Sequence, residues 1–258
     1  MSNTEPRFTL RLARDDGDLR AAQRLRYTVF VEELGADGPF VDHDARLERD
    51  AFDPDYDHLL LIDLNRDPAT LDHVIGVYRL LRSDVADRVG RFYSEDEYNL
   101  DVLKNSGRRL LELGRSCVHR DYRGGKAMYV LWGGLADYVA QHDIQILFGV
   151  ASFHGTDPQS LAAPLSLLHH RHMAPPDLRV TARDGHYQSM NLMPEAEIDR
   201  FGAMRATPAL IKAYLRLGGF VGDGAFVDRA FNTVDVCLVM DTQRMNDRLR
   251  SLYAKERG

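Results

Sequence analysis

Residues 109–151 read RLLELGRSCVHRDYRGGKAMYVLWGGLADYVAQHDIQILFGVA, and their reading decides the fold. The first ten, 109–118, are apolar and strand-like. His119 to Gly125 is a short polar loop ending in two glycines. From Lys126 to about His142 the apolar residues recur at helical spacing. Residues 144–151 are almost continuously apolar, as expected of a strand buried on both faces. Strand, glycine-containing loop, helix and strand make a βαβ unit.

Upstream, 58–64 (HLLLIDL) and 73–82 (HVIGVYRLLR) are strands joined by Asn65-Arg66-Asp67-Pro68 turn chemistry. Residues 8–13 alternate as a strand does. Asp15 or Asp16 caps a helix running to about Leu34, with Leu19, Leu25, Val29 and Phe30 as its apolar stripe. The polar stretch 35–57 is too long for a simple connector and reads as a functional loop or mobile lid. Downstream, about 152–206 reads as an insertion with a helix near 159–171. A helix at 208–217 stops at Gly218-Gly219, 220–228 and 233–240 form a hairpin, and 243–254 is a further helix. The fold class is mixed α/β, a single domain over 1–258, with one central sheet and helices on both faces.

The chain has 258 residues, 44% of them hydrophobic and 28% charged, which is enough apolar material for a full core. No apolar run is long enough to span a bilayer, and the N-terminal stretch lacks a signal-type apolar region, so a cytoplasmic location is expected. Helix 208–217, with Lys212 and Arg216, suits a membrane surface as well as a core, so the expected location includes peripheral contact with the inner membrane. The formal net charge of −6 argues against nucleic acid as a partner. The two cysteines, Cys117 and Cys237, lie in apolar runs and are expected to be buried thiols.

The segment 109–142 resembles the acyl-donor loop of the GNAT acyltransferase superfamily, with Tyr122-Arg123-Gly124-Gly125-Lys126-Ala127 approximating its phosphate-binding motif. Orphan amides at a helix N-terminus suit an anion physically. Four stretches resemble two related GNAT branches: one makes N-acyl amino acids for ornithine-type lipids, the other makes acyl-homoserine lactones. They are Leu25 to Gly35, Asp53 to His58, Gly76 to Leu81, and Leu111 to His119. Within them Arg26, Phe30, Arg79, Glu112 and Arg115 match the polar and aromatic residues common to both branches. Phe153 to Pro158 and Leu210 to Asp235 resemble the ornithine-lipid branch specifically. The resemblance covers most of residues 8–240.

It implies an N-acyltransferase that moves a (3-hydroxy) fatty acyl group from acyl carrier protein to the α-amine of a free amino acid, L-ornithine favoured, giving a lyso-aminolipid. The phosphopantetheine of the carrier brings the acyl group, and no permanently bound cofactor is implied. Glu112 is the candidate base, because an α-ammonium must lose a proton before attack. Tyr214, in a stretch resembling the family's Tyr-x-x-x-Gly-Phe, is the candidate acid for the leaving thiolate. Arg26 and Arg79 suit the acceptor's carboxylate, with Phe30 and Arg115 beside them. Asp53 and Asp57 suit a side-chain ammonium. Backbone amides at Ser116, Cys117 and Val118 would polarise the thioester, a single such donor being worth about 3 kcal/mol. Arg120, Arg123, Gly124, Gly125 and Lys126 would hold the phosphate and the acidic carrier, with Arg108 and Arg109 nearby.

Other readings stay open. Glutamine, glycine or lysine could replace ornithine, the product could be a lactone, and the chain could be a non-catalytic acyl-carrier-binding module. Glu112 with Arg79 or Arg115 could form a buried ionic framework instead of a reacting pair. On an ideal strand Glu112 and Arg115 point to opposite faces, unless a bulge near Gly114 joins them. No metal is expected: His169-His170-Arg171-His172 has no carboxylate or cysteine at ligand spacing.

Overall fold

The computed structural model describes residues 5–124 and 126–244. The sequence reading at Gly125, and the helix expected over 243–254, fall largely or wholly outside the described residues. The described chain forms two compact units. One takes in residues up to Leu81 and again from Leu113 to His142; the other takes in Arg82–Glu112 and the chain from Asp143 onward.

The first unit is built on β1 (Phe8–Leu12), β2 (Asp57–Asp63), β3 (Val74–Arg82) and the later part of β4 (Leu110–Val118), neighbours in that order. The β1–β2 and β2–β3 pairs are antiparallel, with a register shift at Leu61/Ile62. Successive strand residues face opposite sides, so β2 serves two helices at once. Leu60 and Ile62 pack with Ala21, Ala22, Leu25 and Val29 of the segment begun by α1 (Asp16–Arg26). Leu59 approaches α2 (Lys126–Gln141), where a Cβ on Gly134 would stand 2.0 Å from a Leu10 methyl. Only glycine allows that helix to sit so close to the sheet.

Asp15 caps α1 by accepting the Asp18 amide at 2.9 Å. The expected single helix to Leu34 is instead two pieces. The α-helix ends at Arg26, and Tyr27–Glu33 continues with the wider π-helical turn. Such a widening rotates the side chains after it and often accompanies functional sites. The stretch expected as a loop or lid is ordered as a short antiparallel pair, Val41–Asp42 with Leu47–Glu48, followed by a tight turn at Asp53–Asp55.

In the second unit Leu110–Glu112 of β4 pair in parallel with Ile146–Phe148 of β5 (Ile146–His154). β5 runs antiparallel to β8 (Thr233–Asp241) along its whole length. Two short strands, β6 (Phe220–Val221) and β7 (Phe226–Asp228), pair with β8 at different points, so the expected hairpin is realised by β7 and β8 while β6 adds to the edge. The α-helices that follow β5 are α3 (Ala162–His172), α4 (Arg200–Ala206) and α5 (Ala209–Arg216). None of the described helices is long and apolar enough to cross a membrane.

Candidate active site

Three arginines and three carboxylates converge in the first unit. Gln23 and Arg26 lie three apart on α1 and so share a face, Arg79 comes from β3, and Arg115 from β4. The ordered stretch after the short Val41–Glu48 pair brings Glu48, Asp50 and Asp53. Arg26 donates through Nε to Glu48 and through Nη1 to Asp53 at 2.6 Å. Arg79 Nη1 meets Asp50, and Asp53 at 3.0 Å. Arg115 reaches Glu48 at 3.2 Å and Asp50 at 3.3 Å. Gln23 donates to the second Asp53 oxygen at 2.9 Å, and the Arg79 guanidinium lies 4.3 Å from the centre of the Tyr56 ring.

Arg26 and Arg79 are 0% exposed, so leaving either guanidinium without its acids would be costly. Burial alone would weaken Arg26 as a cation, but Glu48 and Asp53 outweigh it and hold the guanidinium above its ordinary value. In the same way burial works against the charged forms of Glu48, Asp50 and Asp53, and the surrounding guanidiniums overcome it, leaving all three below the usual carboxylate range. Burial lowers His58, whose Nε2 lies 2.9 Å from the Asp53 carbonyl oxygen. One donor in the cluster, Nη2 of Arg26, is buried and has no hydrogen-bond partner among the described residues.

Arg115 reaches this cluster from a left-handed backbone, φ 49°, immediately after Gly114. A non-glycine residue in that region costs on the order of 1 kcal/mol and persists where its surroundings enforce it. The backbone turns aside at Arg115. It delivers Arg115 to Glu48 and Asp50.

Glu112, 1% exposed, belongs to the second unit. Its two oxygens accept the amides of Tyr93 at 2.9 Å and Ser94 at 2.6 Å. Tyr214 is buried on α5, and its carbonyl oxygen accepts the Gly219 amide at 2.9 Å. A Cβ on Gly219 would lie 2.9 Å from that oxygen, so the second glycine before Phe220 is there for the close turn.

Asp53 is wholly engaged by Arg26, Arg79 and Gln23, whereas Asp57 accepts the Tyr138 hydroxyl at 2.5 Å. Phe30 is half-buried against the α1 core. Cys117 is buried in the same core, and burial pushes its thiol up to about 12, so it is protonated at neutral pH and unfit as a nucleophile. Ser116 and Val118 flank it on β4.

The loop after β4 turns tightly at Arg120–Tyr122, passes Gly124 with φ 77°, and enters α2 at Lys126; Gly125 lies outside the described residues. Arg123 ties the loop down, donating to the Val118 carbonyl and to Glu33, both at 2.8 Å. The side chains of Arg120 and Lys126 are 72% and 85% exposed. Arg108 and Arg109 are paired with Asp241 and Asp143 in the second unit.

Glu48 was missed in the sequence reading, although three arginines shared by separate elements call for three acids. Residues 25–133 match the family described as Acetyltransferase (GNAT) domain. A protein of Rhodobacter capsulatus named L-ornithine N(alpha)-acyltransferase is 60% identical over 248 residues, covering 96% of this chain and 95% of the relative. The chain belongs to the L-ornithine Nα-acyltransferase family. A member from Brucella abortus is 42% identical over 96% of this chain and 89% of its own length. A solved N-acyl amino acid synthase from uncultured soil microbes, 12% identical, covers 92% of both chains with a TM-score of 0.51, a likeness of fold alone. As a member of the family, the chain is an acyltransferase on a GNAT-like fold.

Proposed function

We propose that the chain transfers a (3-hydroxy) fatty acyl group from acyl carrier protein to the α-amine of L-ornithine, giving a lyso-aminolipid. The observation that carries the acceptor is the near end-to-end 60% identity with a relative named for that reaction. The Arg26 cluster supports it. A buried guanidinium whose Nη2 has no partner among the described residues is suited to an incoming carboxylate, and fixed acids hold its other two nitrogens. Arg79 and Arg115 share its acids, Asp53 and Glu48, from β3 and β4, and Phe30 packs on the apolar core beside α1. The donor's phosphate fits the loop at Arg120–Lys126, where the start of a 16-residue helix and two exposed cations favour an anion.

Glu112 takes the ammonium proton through water. Tyr214 returns a proton to the departing thiolate, and the amides at Ser116–Val118 steady the oxyanion. A second reading of Glu112 has its own observation: a carboxylate gripping two successive amides is an anchor for the Tyr93–Asp96 turn. Glu112→Gln separates the two, since loss of turnover with unchanged thermal unfolding favours the base, and loss of both favours the anchor.

The test of the whole is an assay with purified chain, 3-hydroxyacyl carrier protein and ornithine, glutamine, glycine or lysine, read by product mass. Ornithine should be acylated with the highest kcat/KM and the carrier-bound donor preferred over the CoA thioester. Preference for another amino acid, or a lactone product, would sink the proposal.

A further inference from the structure

The second unit holds a cluster that the acyl-transfer chemistry does not use. Glu97, Asp228 and Asp235 each present a carboxylate oxygen, and these three oxygens lie within 4.8 Å of one another. Glu97 and Asp235 are buried and Asp228 is half-buried. Thr233 stands directly across the β7–β8 ladder from Asp228, and Asp235 follows it two residues later on β8. Cross-strand partners and residues two apart share a face, so the Thr233 side chain issues beside both aspartates. It is 7% exposed, and its hydroxyl has no hydrogen-bond partner among the described residues. The frame around the cluster is fixed. The Tyr98 hydroxyl donates to the carbonyls of Asp235 at 3.0 Å and Gly224 at 3.2 Å, and the Arg183 amide donates to the Glu97 carbonyl at 2.8 Å. One Asp228 oxygen accepts the amides of Ala230 and Phe231 at 2.8 and 3.0 Å.

Three carboxylate oxygens this close are placed to share one cation. The donors are all oxygen, three anionic and one hydroxyl, a hard set suited to Ca²⁺ or Mg²⁺ rather than to a soft metal. Around Ca²⁺, with oxygen ligands at about 2.4 Å, any two ligands lie within about 4.8 Å of each other, so the three oxygens can share one such ion. We propose that Glu97, Asp228, Asp235 and the Thr233 hydroxyl form a binding site for a divalent cation of calcium's size, with water completing its coordination. The cation would fasten the Glu97–Tyr98 segment to the β7–β8 hairpin.

The experiment uses the full chain stripped with EDTA, then equilibrium dialysis against ⁴⁵Ca²⁺ and thermal unfolding with and without CaCl₂. One Ca²⁺ per chain and a Tm raised by several degrees are expected, because a ligand bound only by the folded state stabilises it. Asp228→Asn and Asp235→Asn should abolish both effects. Thr233→Val, which keeps the side-chain shape, should weaken Ca²⁺ binding several-fold while leaving the chain folded. Asp87→Asn, at an exposed carboxylate outside the cluster, should change neither readout. No ⁴⁵Ca²⁺ retained by the wild type, or binding that persists in Asp228→Asn, would overturn the site. So would stabilisation of the calcium-free chain by ornithine that Asp228→Asn removes, since that would place an ammonium in the cluster. None of these readouts requires acyl transfer, so they stand apart from the test of the reaction.

Discussion

Two places in this molecule gather three carboxylates, and they solve the repulsion differently. In the first unit Glu48, Asp50 and Asp53 are interleaved with Arg26, Arg79 and Arg115, supplied by a helix and two strands. In the second, Glu97, Asp228 and Asp235 stand with a threonine hydroxyl. Guanidiniums that are part of the chain make a permanent framework, able to hold a substrate group in one orientation. A cluster drawn from two strands and a distant turn is suited to an exchangeable cation. The same acidic chemistry thus serves rigidity in one unit and recruitment in the other.

The largest expected effect is Glu112→Gln, which keeps the size of the side chain and removes its charge. As the base, it should cost about 10²- to 10⁴-fold in kcat, measured by steady-state acyl transfer alongside thermal unfolding. Next is Asp53→Ala, which leaves Arg26 and Arg79 buried with a partner removed. A destabilisation of about 3–5 kcal/mol is expected by urea unfolding, and a change under 1 kcal/mol would break the framework half of the comparison.

Acid should reproduce part of that loss. Glu48, Asp50 and Asp53 sit below their unfolded values, so their contribution is present above about pH 4 and is lost as pH falls from there through the depressed folded values. Denaturant midpoints from pH 6 downward should decline, and Asp53→Ala should flatten the decline. The smallest effect is expected from Arg120→Ala or Lys126→Ala. Each should raise KM for the carrier about tenfold or less, more at low salt than at high, with kcat unchanged.

Much of this was legible before any coordinates. β1, β2, β3 and the β4–α2–β5 unit follow from alternation and helical spacing, and Asp15 is a cap that can be read directly. Arg26, Arg79 and Arg115 stood out, but their shared partner set did not. Glu48 lies in a polar stretch whose short strands are held by tertiary contacts rather than by local pattern. The break of the first helix at Arg26 was hidden because a π-helical turn keeps the same apolar composition as an α-helix. Glu112 was legible as an important carboxylate, but its grip on Tyr93 and Ser94 was not, since a backbone amide has no sequence signature. The Glu97 cluster was invisible for a simpler reason: its four members are scattered from 97 to 235, so no spacing rule joins them.

The strand order of the second unit also bears on how the protein is made. β5 ends at His154, yet the strand that covers its whole length starts only at Thr233. While the ribosome is still adding the intervening helices, β5 has an open edge and little to pair with but another nascent chain. Slow elongation between those two points should therefore favour aggregation in the cell, and a chaperone that shields extended apolar segments would find its natural client in this interval.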